Sequence, residues 1–341
     1  MIKLSDFAAI DISKIVAPTL DTNSYILGPS VAKFENAFAE YTGSEACAAT
    51  ANCTDSLRMC LQALGIGPGS RVAVPSFTWL STAEVVKQLY AQPVFVDIDD
   101  TLCIDTEHLL SVVDSVDAII YVNLFGNVTD IDGILRVAGA TPVIEDNAQA
   151  TGALYKNNTL GNTGVISCYS FYPTKNLATL GDAGCVTGPK DFVDTIKYLR
   201  NHGQGNVKFR AGTVGWNSRM DSIHADILLH ELPKLNGRNT RRREIAEHYK
   251  ANINLPTQKI NADCVPVYHQ YALITDKIKE LEGIQTRSYY NTPIHKLNAY
   301  NTGQTLPVTE YYSKNNICIP VHPFLTDEQV EYIVKRVNEC V

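Results

Sequence analysis

The chain has 341 residues, 45% of them hydrophobic and 19% charged, which is the composition of an ordinary globular protein large enough for two domains. The formal net charge of −7, with no basic run except residues 241–243, argues against a nucleic-acid-binding surface. The nine cysteines form no Cys-x-x-Cys pair and no apolar run reaches about 18 residues, so we expect a cytoplasmic protein with reduced thiols, no metal site and no membrane span.

The first half of the chain alternates helical and strand-like patterns. Residues 1–30 show little periodicity, and we expect them to wrap over another surface as an arm. An amphipathic helix over residues 31–41 and a strand of small residues at 46–50 follow. Further apolar strands, separated by helices, are predicted at residues 72–75, 94–96, 118–122 and 142–144. Near-continuous apolar strands of this kind indicate an α/β fold with a mostly parallel sheet covered on both faces.

One predicted helix begins at about residues 53–55 and ends at Gly65. Its N-terminus carries unpaired N–H groups and a partial positive charge, which favour an anion such as phosphate. An ordinary N-cap by Asn52 or Thr54 explains the same residues without any ligand.

Chemically useful side chains follow two of the predicted strands directly. Phe77 and Trp79 come after strand 72–75, and Asp146 and Gln149 come after strand 142–144. In open α/β sheets the carboxyl edge of the strands is where ligands bind. Taken singly, each aromatic is also explained as a core residue and Asp146 as a turn former.

Residues 170–184 connect two more predicted strands and contain Lys175. Pro173 excludes a continuing central strand, and Gly181 and Gly184 allow a tight return of the backbone. Lys175 is therefore expected on a rigid turn. A single lysine is usually a solvated cation, so its significance depends on the residues predicted around it.

The remaining chain is expected to change character near residue 235. A helix at 191–200 and a polar segment at 204–215 lead to a long helix after residue 221. A basic helix, short strands and a final helix are then predicted at residues 238–249, 271–274 and 327–337. We expect a large domain over residues 1–234, including the arm, and a small α+β domain over residues 235–341.

The residues predicted at the strand ends match the needs of pyridoxal 5′-phosphate (PLP). Its aldehyde forms a Schiff base with a lysine, here Lys175, and its ring nitrogen needs a carboxylate, here Asp146. Its ring needs a flat neighbour, and its phosphate needs donors such as the helix start at 53–55 and Ser170. The glycines at 65–69 follow a helix rather than a strand, so they do not form a dinucleotide-binding fingerprint.

A series of motifs resembles, in the same order, those of the DegT/DnrJ/EryC1/StrS aminotransferases. The likeness covers about residues 25–335. The motifs are Asn52-Cys-Thr-Asp-Ser-Leu57, Leu64-Gly-Ile-Gly-Pro-Gly69, Val74-Pro-Ser-Phe-Thr-Trp79, Val143-Ile-Glu-Asp-Asn-Ala-Gln-Ala150, Ser170-Phe-Tyr-Pro-Thr-Lys-Asn176, Gly181-Asp-Ala-Gly184, Arg200-Asn-His-Gly203, Gly215-Trp-Asn-Ser-Arg-Met-Asp221, Gly283-Ile-Gln-Thr286, Tyr290-Asn-Thr-Pro-Ile-His295 and Ile319-Pro-Val-His-Pro323.

The resemblance implies the type I PLP-dependent aminotransferase fold, with a mostly parallel seven-stranded sheet, and a homodimer with active sites at the subunit interface. By position, Lys175 would form the Schiff base and move the proton, while Asp146 would pair with the pyridinium beside Gln149. The remaining cofactor positions implied are ring stacking by Trp79, phosphate binding by Cys53, Thr54 and Ser170, and phosphate binding by Asn217 of the other subunit. Two positions depart from the family pattern, since Cys53 replaces the usual Gly or Ala and Tyr172 often corresponds to His.

The resemblance also implies a substrate class. We expect transfer of an amino group from glutamate to a nucleotide-linked keto-sugar, above all a 4-keto- or 3-keto-6-deoxyhexose on dTDP, in amino-sugar and surface polysaccharide (O-antigen) biosynthesis. Candidate nucleotide contacts are Arg219, Tyr289, Tyr290, His295 and the Lys208/Arg210 segment, all of which could equally be surface or interface residues.

Three other functions stay open at this point. Sugar dehydratases share the fold but replace the lysine by histidine, which Lys175 argues against. A non-catalytic PLP-binding sensor would not need the complete set of catalytic residues that this chain has. A nicotinamide-dependent enzyme is disfavoured by the missing fingerprint.

Overall fold

The computed structural model describes residues 1–6, 11–205, 210–278 and 280–340. The strands in these ranges are β1 (Ala46–Thr50), β2 (Arg71–Pro75), β3 (Gln92–Val96), β4 (Ala118–Val122), β5 (Val143–Asp146), β6 (Leu154–Tyr155), β7 (Asn158–Thr159), β8 (Ile166–Ser170), β9 (Gly184–Gly188), β10 (Cys264–Val265), β11 (Tyr271–Leu273) and β12 (Ile317–Ile319). The helices are α1 (Ile12–Ile15), α2 (Ala17–Thr22), α3 (Pro29–Thr42), α4 (Cys53–Ala63), α5 (Ser81–Gln88), α6 (Thr106–Val112), α7 (Ile131–Ala138), α8 (Lys190–Leu199), α9 (Ser222–Glu231), α10 (Leu235–Asn252), α11 (Pro307–Lys314) and α12 (Asp327–Asn338).

Seven strands form the large sheet, in the order β1-β9-β8-β5-β4-β2-β3. Neighbouring strands from β8 to β3 run parallel, and β9 runs antiparallel to both β8 and β1. The structure therefore confirms the predicted mostly parallel sheet of the α/β class. Because the parallel strands all end at one edge, the segments that follow β2, β4, β5 and β8 meet there.

Helices cover both faces of this sheet, which explains why β4 (Ala118–Val122) has a continuous run of apolar and aromatic residues. Along β4, Ile120 packs into a core with residues of α4, α5 and α8. The alternate residues Ile119 and Tyr121 pack on the opposite face into a core with α6 and α7. Successive side chains of a strand point to opposite faces, so a strand covered on both faces is buried at every position, as β4 is.

A separate core joins α10, β11, β12 and α12 in the C-terminal third of the chain. The predicted domain boundary at 234/235 falls between a short 3₁₀ turn, Leu232–Lys234, and the start of α10. Ile294 and Leu306 pack into the core of the large sheet instead. The domain limits at 1–234 and 235–341 stay a prediction.

The region expected to be an aperiodic arm contains two short helices, α1 and α2. Thr19 of α2 is buried and its Oγ1 donates a hydrogen bond of 2.6 Å to Asp226 Oδ2 of α9. A tertiary contact of this kind stabilises a helix that local periodicity does not reveal. Among the described residues, no helix is long and apolar enough to cross a membrane.

Candidate active site

A cavity of about 500 Å³ opens at the carboxyl edge of the large sheet. This volume lies in the range of small-molecule and cofactor sites. The cavity brings together most of the site residues predicted from the sequence. Those that line it are Cys53, Thr54, Trp79, Asp146, Gln149, Ser170, Lys175, Tyr289 and Tyr290.

Lys175 lies on the connection between β8 and β9, as predicted. Its backbone N–H donates to the carbonyl of Tyr172 at 2.8 Å, which closes a turn directly after β8. Phe171 and Thr179 hold the ends of the turn together, since the Thr179 N–H donates to the Phe171 carbonyl at 2.9 Å. Burial lowers the pKa of the Lys175 amine, although the charges of Asp146 and Cys53 oppose this shift. A lysine with a lowered pKa is more often a neutral, nucleophilic amine.

Asp146 is the last residue of β5, and its carboxylate lies in the cavity. Its Oδ1 accepts a hydrogen bond from the Ala148 N–H at 2.9 Å. Burial raises the pKa of Asp146 to about 6, against the opposing effects of the Ala148 N–H and Lys175. The carboxyl is therefore mostly ionised at neutral pH.

The neighbouring acid, Glu145, belongs to the structure of the sheet and not to the cavity. Strand alternation turns it away from Asp146, and it is fully buried. Tyr121 donates to its Oε1 at 2.9 Å and Ser167 to its Oε2 at 2.6 Å. Of two consecutive acids at the end of β5, only Asp146 faces the ligand space.

Gln149 connects the cavity to a wall of aromatic rings. Its Oε1 accepts from the Phe125 N–H at 2.8 Å, and its Nε2 donates to the Tyr290 hydroxyl at 3.2 Å. The Tyr290 ring lies edge-on to Phe77, with centroids 5.7 Å apart. Trp79 is 58% exposed and its ring centroid is 6.4 Å from that of Tyr290. The amide is fixed at both ends, while the Trp79 ring keeps a free face.

The start of α4 forms the end of the cavity nearest β9. Asn52 caps the helix, because its side-chain oxygen accepts from the Asp55 N–H at 2.8 Å. The N–H groups of Cys53 and Thr54 precede any intrahelical acceptor, so they can bind an anion. The Thr54 and Ser81 hydroxyls are 2.7 Å apart. A Cβ on Gly184 would lie 2.6 Å from the Cys53 nitrogen, so only glycine lets β9 approach the helix start this closely.

Of the predicted site residues that the structure describes, Asn217, Arg219, His295 and Arg210 do not line this cavity. Asn217 is exposed, and Arg219 donates to the Asn201 side chain at 2.9 Å. His295 is fully buried, with its Nδ1 2.7 Å from Ser76 Oγ and its Nε2 3.3 Å from Glu310 Oε1.

The expectation that His295 contacts a nucleotide is therefore not supported, because both ring nitrogens are bonded inside the protein. Its structural role is to tie the segment after β2 to the C-terminal third of the chain. Of the Lys208/Arg210 segment, Lys208 lies outside the described residues and Arg210 is exposed.

Several cavity residues were not among those predicted from the sequence, including His269 and Arg287. His269 lies two residues before the predicted strand at 271–274, and Arg287 immediately follows the family motif at 283–286. Neither residue stands at the end of a strand of the large sheet, so strand order alone does not indicate that they line the cavity.

The residues of the cavity fit PLP. A half-buried amine, a carboxylate, a fixed amide and an exposed aromatic face share one space with an anion-binding helix start. These are the groups that its aldehyde, ring nitrogen, ring and phosphate require. Among the described residues no cluster of three His, Cys, Asp or Glu side chains could hold a metal ion.

Comparison with known proteins agrees with this chemistry. The model of the DegT/DnrJ/EryC1/StrS aminotransferase family matches residues 9–338. The chain is 34% identical to UDP-2-acetamido-2-deoxy-3-oxo-D-glucuronate aminotransferase from Pseudomonas aeruginosa, covering 91% of this chain and 90% of that protein. It is also 34% identical to dTDP-3-amino-3,6-dideoxy-alpha-D-galactopyranose transaminase from Aneurinibacillus thermoaerophilus, covering 96% and 94%.

Among solved structures, the chain resembles DesV of Streptomyces venezuelae, crystallised in complex with a ketimine intermediate. The TM-score is 0.93 at 31% identity, and the match covers 96% of this chain and 94% of that one. The predicted family, fold, enzyme class and cofactor are thereby confirmed. The chain belongs to the DegT/DnrJ/EryC1/StrS aminotransferase family and is a PLP-dependent sugar aminotransferase.

Proposed function

We propose that this protein transfers an amino group from glutamate to the keto group of a nucleotide-linked sugar. The observation that carries the proposal is the cavity in which the Lys175 amine, the Asp146 carboxylate and the start of α4 meet. The two relatives named above aminate a UDP-linked and a dTDP-linked sugar. Of these, we propose a dTDP-linked 3-keto- or 4-keto-6-deoxyhexose as the acceptor, in amino-sugar biosynthesis for a surface polysaccharide.

Different residues of the cavity would bind different parts of the cofactor. Asp146 would pair with the ring nitrogen, and the hydrogen bond that it accepts from the Ala148 N–H would keep the carboxylate oriented. Gln149 is held at both ends and would lie beside the ring, where Trp79 offers a face for stacking. The α4 start at Cys53 and Thr54 would bind the phosphate together with the Ser170 hydroxyl.

Lys175 supplies the acid–base chemistry of the reaction. When bound, PLP supplies an aldehyde for the lysine and a ring that accepts electrons. The Lys175 amine is a base of lowered pKa, so its Nζ would give up a proton more readily than the amine of an ordinary lysine. The Asp146 charge opposes the loss of that proton and keeps both protonation states within reach.

We also propose that two copies of the chain form the working enzyme. Asn217 lies outside the cavity of its own chain and is exposed, which suits a residue that reaches the site of a second copy. All nine cysteines are free thiols, and eight are at least partly buried, which supports a cytoplasmic location.

The function is tested with Lys175→Ala in purified protein. Wild-type protein is expected to show the visible absorbance of a lysine-bound cofactor and to aminate a dTDP-linked keto-sugar with glutamate. Lys175→Ala is expected to lose the absorbance band and to lower kcat by at least about 10³-fold, because no other amine replaces the nucleophile.

The matched control is Lys190→Ala, since Lys190 is exposed and pairs with Asp194 on the surface of α8. This variant should keep both signals. Normal amino transfer by Lys175→Ala would contradict the proposal. Loss of a sugar hydroxyl without amination by the wild-type protein would indicate a dehydratase instead.

A further inference from the structure

Tyr290 lies in the wall of the cavity, and the proposed chemistry gives it no role. Its hydroxyl accepts a hydrogen bond from Gln149 Nε2 at 3.2 Å. In the described ranges of the chain this hydroxyl has no second hydrogen-bond partner. The family motif implied a nucleotide contact for Tyr290, whereas the structure joins it to a residue that is expected beside the cofactor ring.

The N–H of Phe125 determines which end of the Gln149 amide carries the oxygen. A backbone N–H can only donate, and this one donates to Gln149 Oε1 at 2.8 Å. The other end is therefore the NH₂ group, which has two hydrogens, and one of them is donated to the Tyr290 hydroxyl. The second hydrogen has no acceptor within the described part of the protein, and Gln149 lines the cavity. Gln149 consequently offers a hydrogen-bond donor to a ligand in the cavity.

The Phe125 N–H is itself held in place by the chain around it. The Gln270 N–H donates to the Phe125 carbonyl at 3.2 Å, and the Val267 N–H donates to the Gly126 carbonyl at 2.9 Å. Both bonds join this segment to the one that leads into β11. One end of the Gln149 amide is thus bonded to a fixed point of the backbone.

The ring of Tyr290 holds its hydroxyl at the other end of the amide. The ring packs edge-on against Phe77, with centroids 5.7 Å apart, and stacks with Phe125 at 6.4 Å. The preceding residue, Tyr289, donates its backbone N–H to the Asn316 side chain at 3.0 Å. Phe125 therefore contributes both an N–H for the amide and a ring for Tyr290.

The Tyr290 hydroxyl keeps its proton at neutral pH. Burial raises its pKa above the ordinary value of 10, although the hydrogen bond from Gln149 acts in the opposite direction. Its titratable neighbours, Tyr289, Cys318 and Asp146, act in the same direction as burial. The bond between Gln149 and Tyr290 therefore does not depend on ionisation of the tyrosine.

We propose that Tyr290 is a positioning residue that, together with the Phe125 N–H, fixes the direction of the Gln149 amide, so that its free N–H donates to an oxygen of the bound cofactor. The terminal torsion of a glutamine side chain is broad, so an amide held at one end alone would turn away from that direction. The inference rests on the cofactor binding in this cavity, as in the proposed function.

The first test measures the affinity of the cofactor-free, full-length protein for PLP in a double-mutant cycle. Tyr290→Phe removes only the hydroxyl and should weaken PLP binding by about fivefold to tenfold, the value of one hydrogen bond. Gln149→Ala should weaken it by about tenfold or more. The double variant should bind PLP no more weakly than Gln149→Ala, because Tyr290 acts through Gln149.

The absorbance of the lysine-bound cofactor gives a second readout. Its visible band changes when the bound cofactor gains or loses a proton, and a donor at the cofactor's oxygen favours the form without that proton. In Tyr290→Phe the midpoint of this change should therefore rise by about half to one pH unit. A residue that only filled space would not move this midpoint.

Tyr312→Phe is the matched control. Tyr312 packs against the same apolar cluster as Tyr290, together with Phe77 and Phe125, but it does not line the cavity. This variant should keep the PLP affinity and the absorbance midpoint of the wild type. Urea unfolding of each variant shows that it is folded.

Additive losses of PLP affinity in the cycle, or an equal shift of the midpoint in Tyr312→Phe, would overturn the proposal. A Tyr290→Phe protein that binds PLP normally but has lost affinity for dTDP would also overturn it and make Tyr290 a nucleotide contact. These measurements use no sugar substrate. The expected cycle in a protein that aminates no nucleotide sugar would support the role of Tyr290 and contradict the proposed function.

Discussion

Burial, more than any single ion pair, sets the charge states of the site. It raises the pKa of Asp146 to about 6 and lowers that of Lys175, and in each case the other residue's charge acts in the opposite direction. An acid with a raised pKa and a base with a lowered pKa in the same cavity are typical of catalytic sites. The protein thus holds a carboxylate with a raised pKa and an amine with a lowered pKa in one cavity.

The raised pKa of Asp146 makes cofactor binding depend on pH. Above about 6 the carboxyl is ionised and can pair with a protonated ring nitrogen, and below about 6 it becomes neutral and the pairing is lost. Compared with Asp146→Asn, the wild-type affinity for PLP should therefore fall by about tenfold for each pH unit below 6. Titration of the cofactor-free protein with PLP from pH 5 to pH 8, followed by absorbance, measures this.

Asp182→Asn is the control for this experiment. Asp182 also lines the cavity but is exposed, so its removal should leave the pH dependence of the wild type intact. If the affinity for PLP changed with pH in the same way in the wild type and in Asp146→Asn, Asp146 would not bind the ring.

Single residues show where sequence reasoning reaches its limit. Lys175, Asp146 and Gln149 could be predicted because each lies at or within five residues of the end of a strand, and parallel strands bring such positions to one edge. His295 and His269 could not be ranked in the same way. His295 lies in a short 3₁₀ turn (Ile294–Lys296) and His269 in an irregular segment, and in neither does the sequence indicate how deeply the side chain is buried. The structure shows that His295 is bonded inside the protein and that His269 lines the cavity.

At the scale of elements, the contact between β9 and the start of α4 determines the shape of the proposed anion site. Gly184 is the first residue of β9, and a Cβ there would lie 2.6 Å from both the Asn52 carbonyl carbon and the Cys53 nitrogen. These are backbone atoms, which cannot move aside as a side chain can. The absence of a side chain at this position lets the helix start reach the cavity.

Gly184→Ala is expected to damage both stability and cofactor binding. The added methyl must push α4 away from β9, which should lower the free energy of unfolding by about 1–3 kcal/mol. The affinity for PLP should fall by about tenfold or more, since the phosphate-binding N–H groups shift. Urea unfolding and PLP titration measure the two effects.

Gly67→Ala provides the comparison, because a Cβ at Gly67 would meet no atom within 4 Å. It should leave both quantities within error of the wild type. Wild-type PLP affinity in Gly184→Ala would mean that the start of α4 does not bind the phosphate.

Sequence periodicity predicted those helices and strands whose buried side chains recur at regular intervals along the sequence. The helices near 31–41, 191–200 and 327–337 and the strands of the large sheet all have such a pattern, and the structure contains them. The two-residue strands β6 and β10 were not predicted. They pair through residues such as Tyr155 and Cys264, which are far apart in the sequence, so no local pattern marks them.

At the scale of the whole molecule, the cavity of one chain is not lined by every residue that the family motifs assign to the site. Asn217 is exposed and lies outside the cavity. Apolar side chains are exposed at or beside the cavity rim, namely Trp79, Leu80, Tyr172 and Leu180. Exposed apolar groups around an incomplete site suit a second copy of the chain that covers the rim and supplies Asn217.

A shared site of this kind can be tested by complementation. Lys175→Ala and Asn217→Ala are each expected to be inactive alone. In a mixed dimer one site carries both substitutions and the other carries neither, so random exchange of subunits should restore about one quarter of the wild-type activity. Mixing Lys175→Ala with Asp146→Asn should restore nothing, because these two residues line the cavity of a single chain. Activity in neither mixture, with Asn217→Ala inactive, would place Asn217 in the site of its own chain and remove the argument for a shared site.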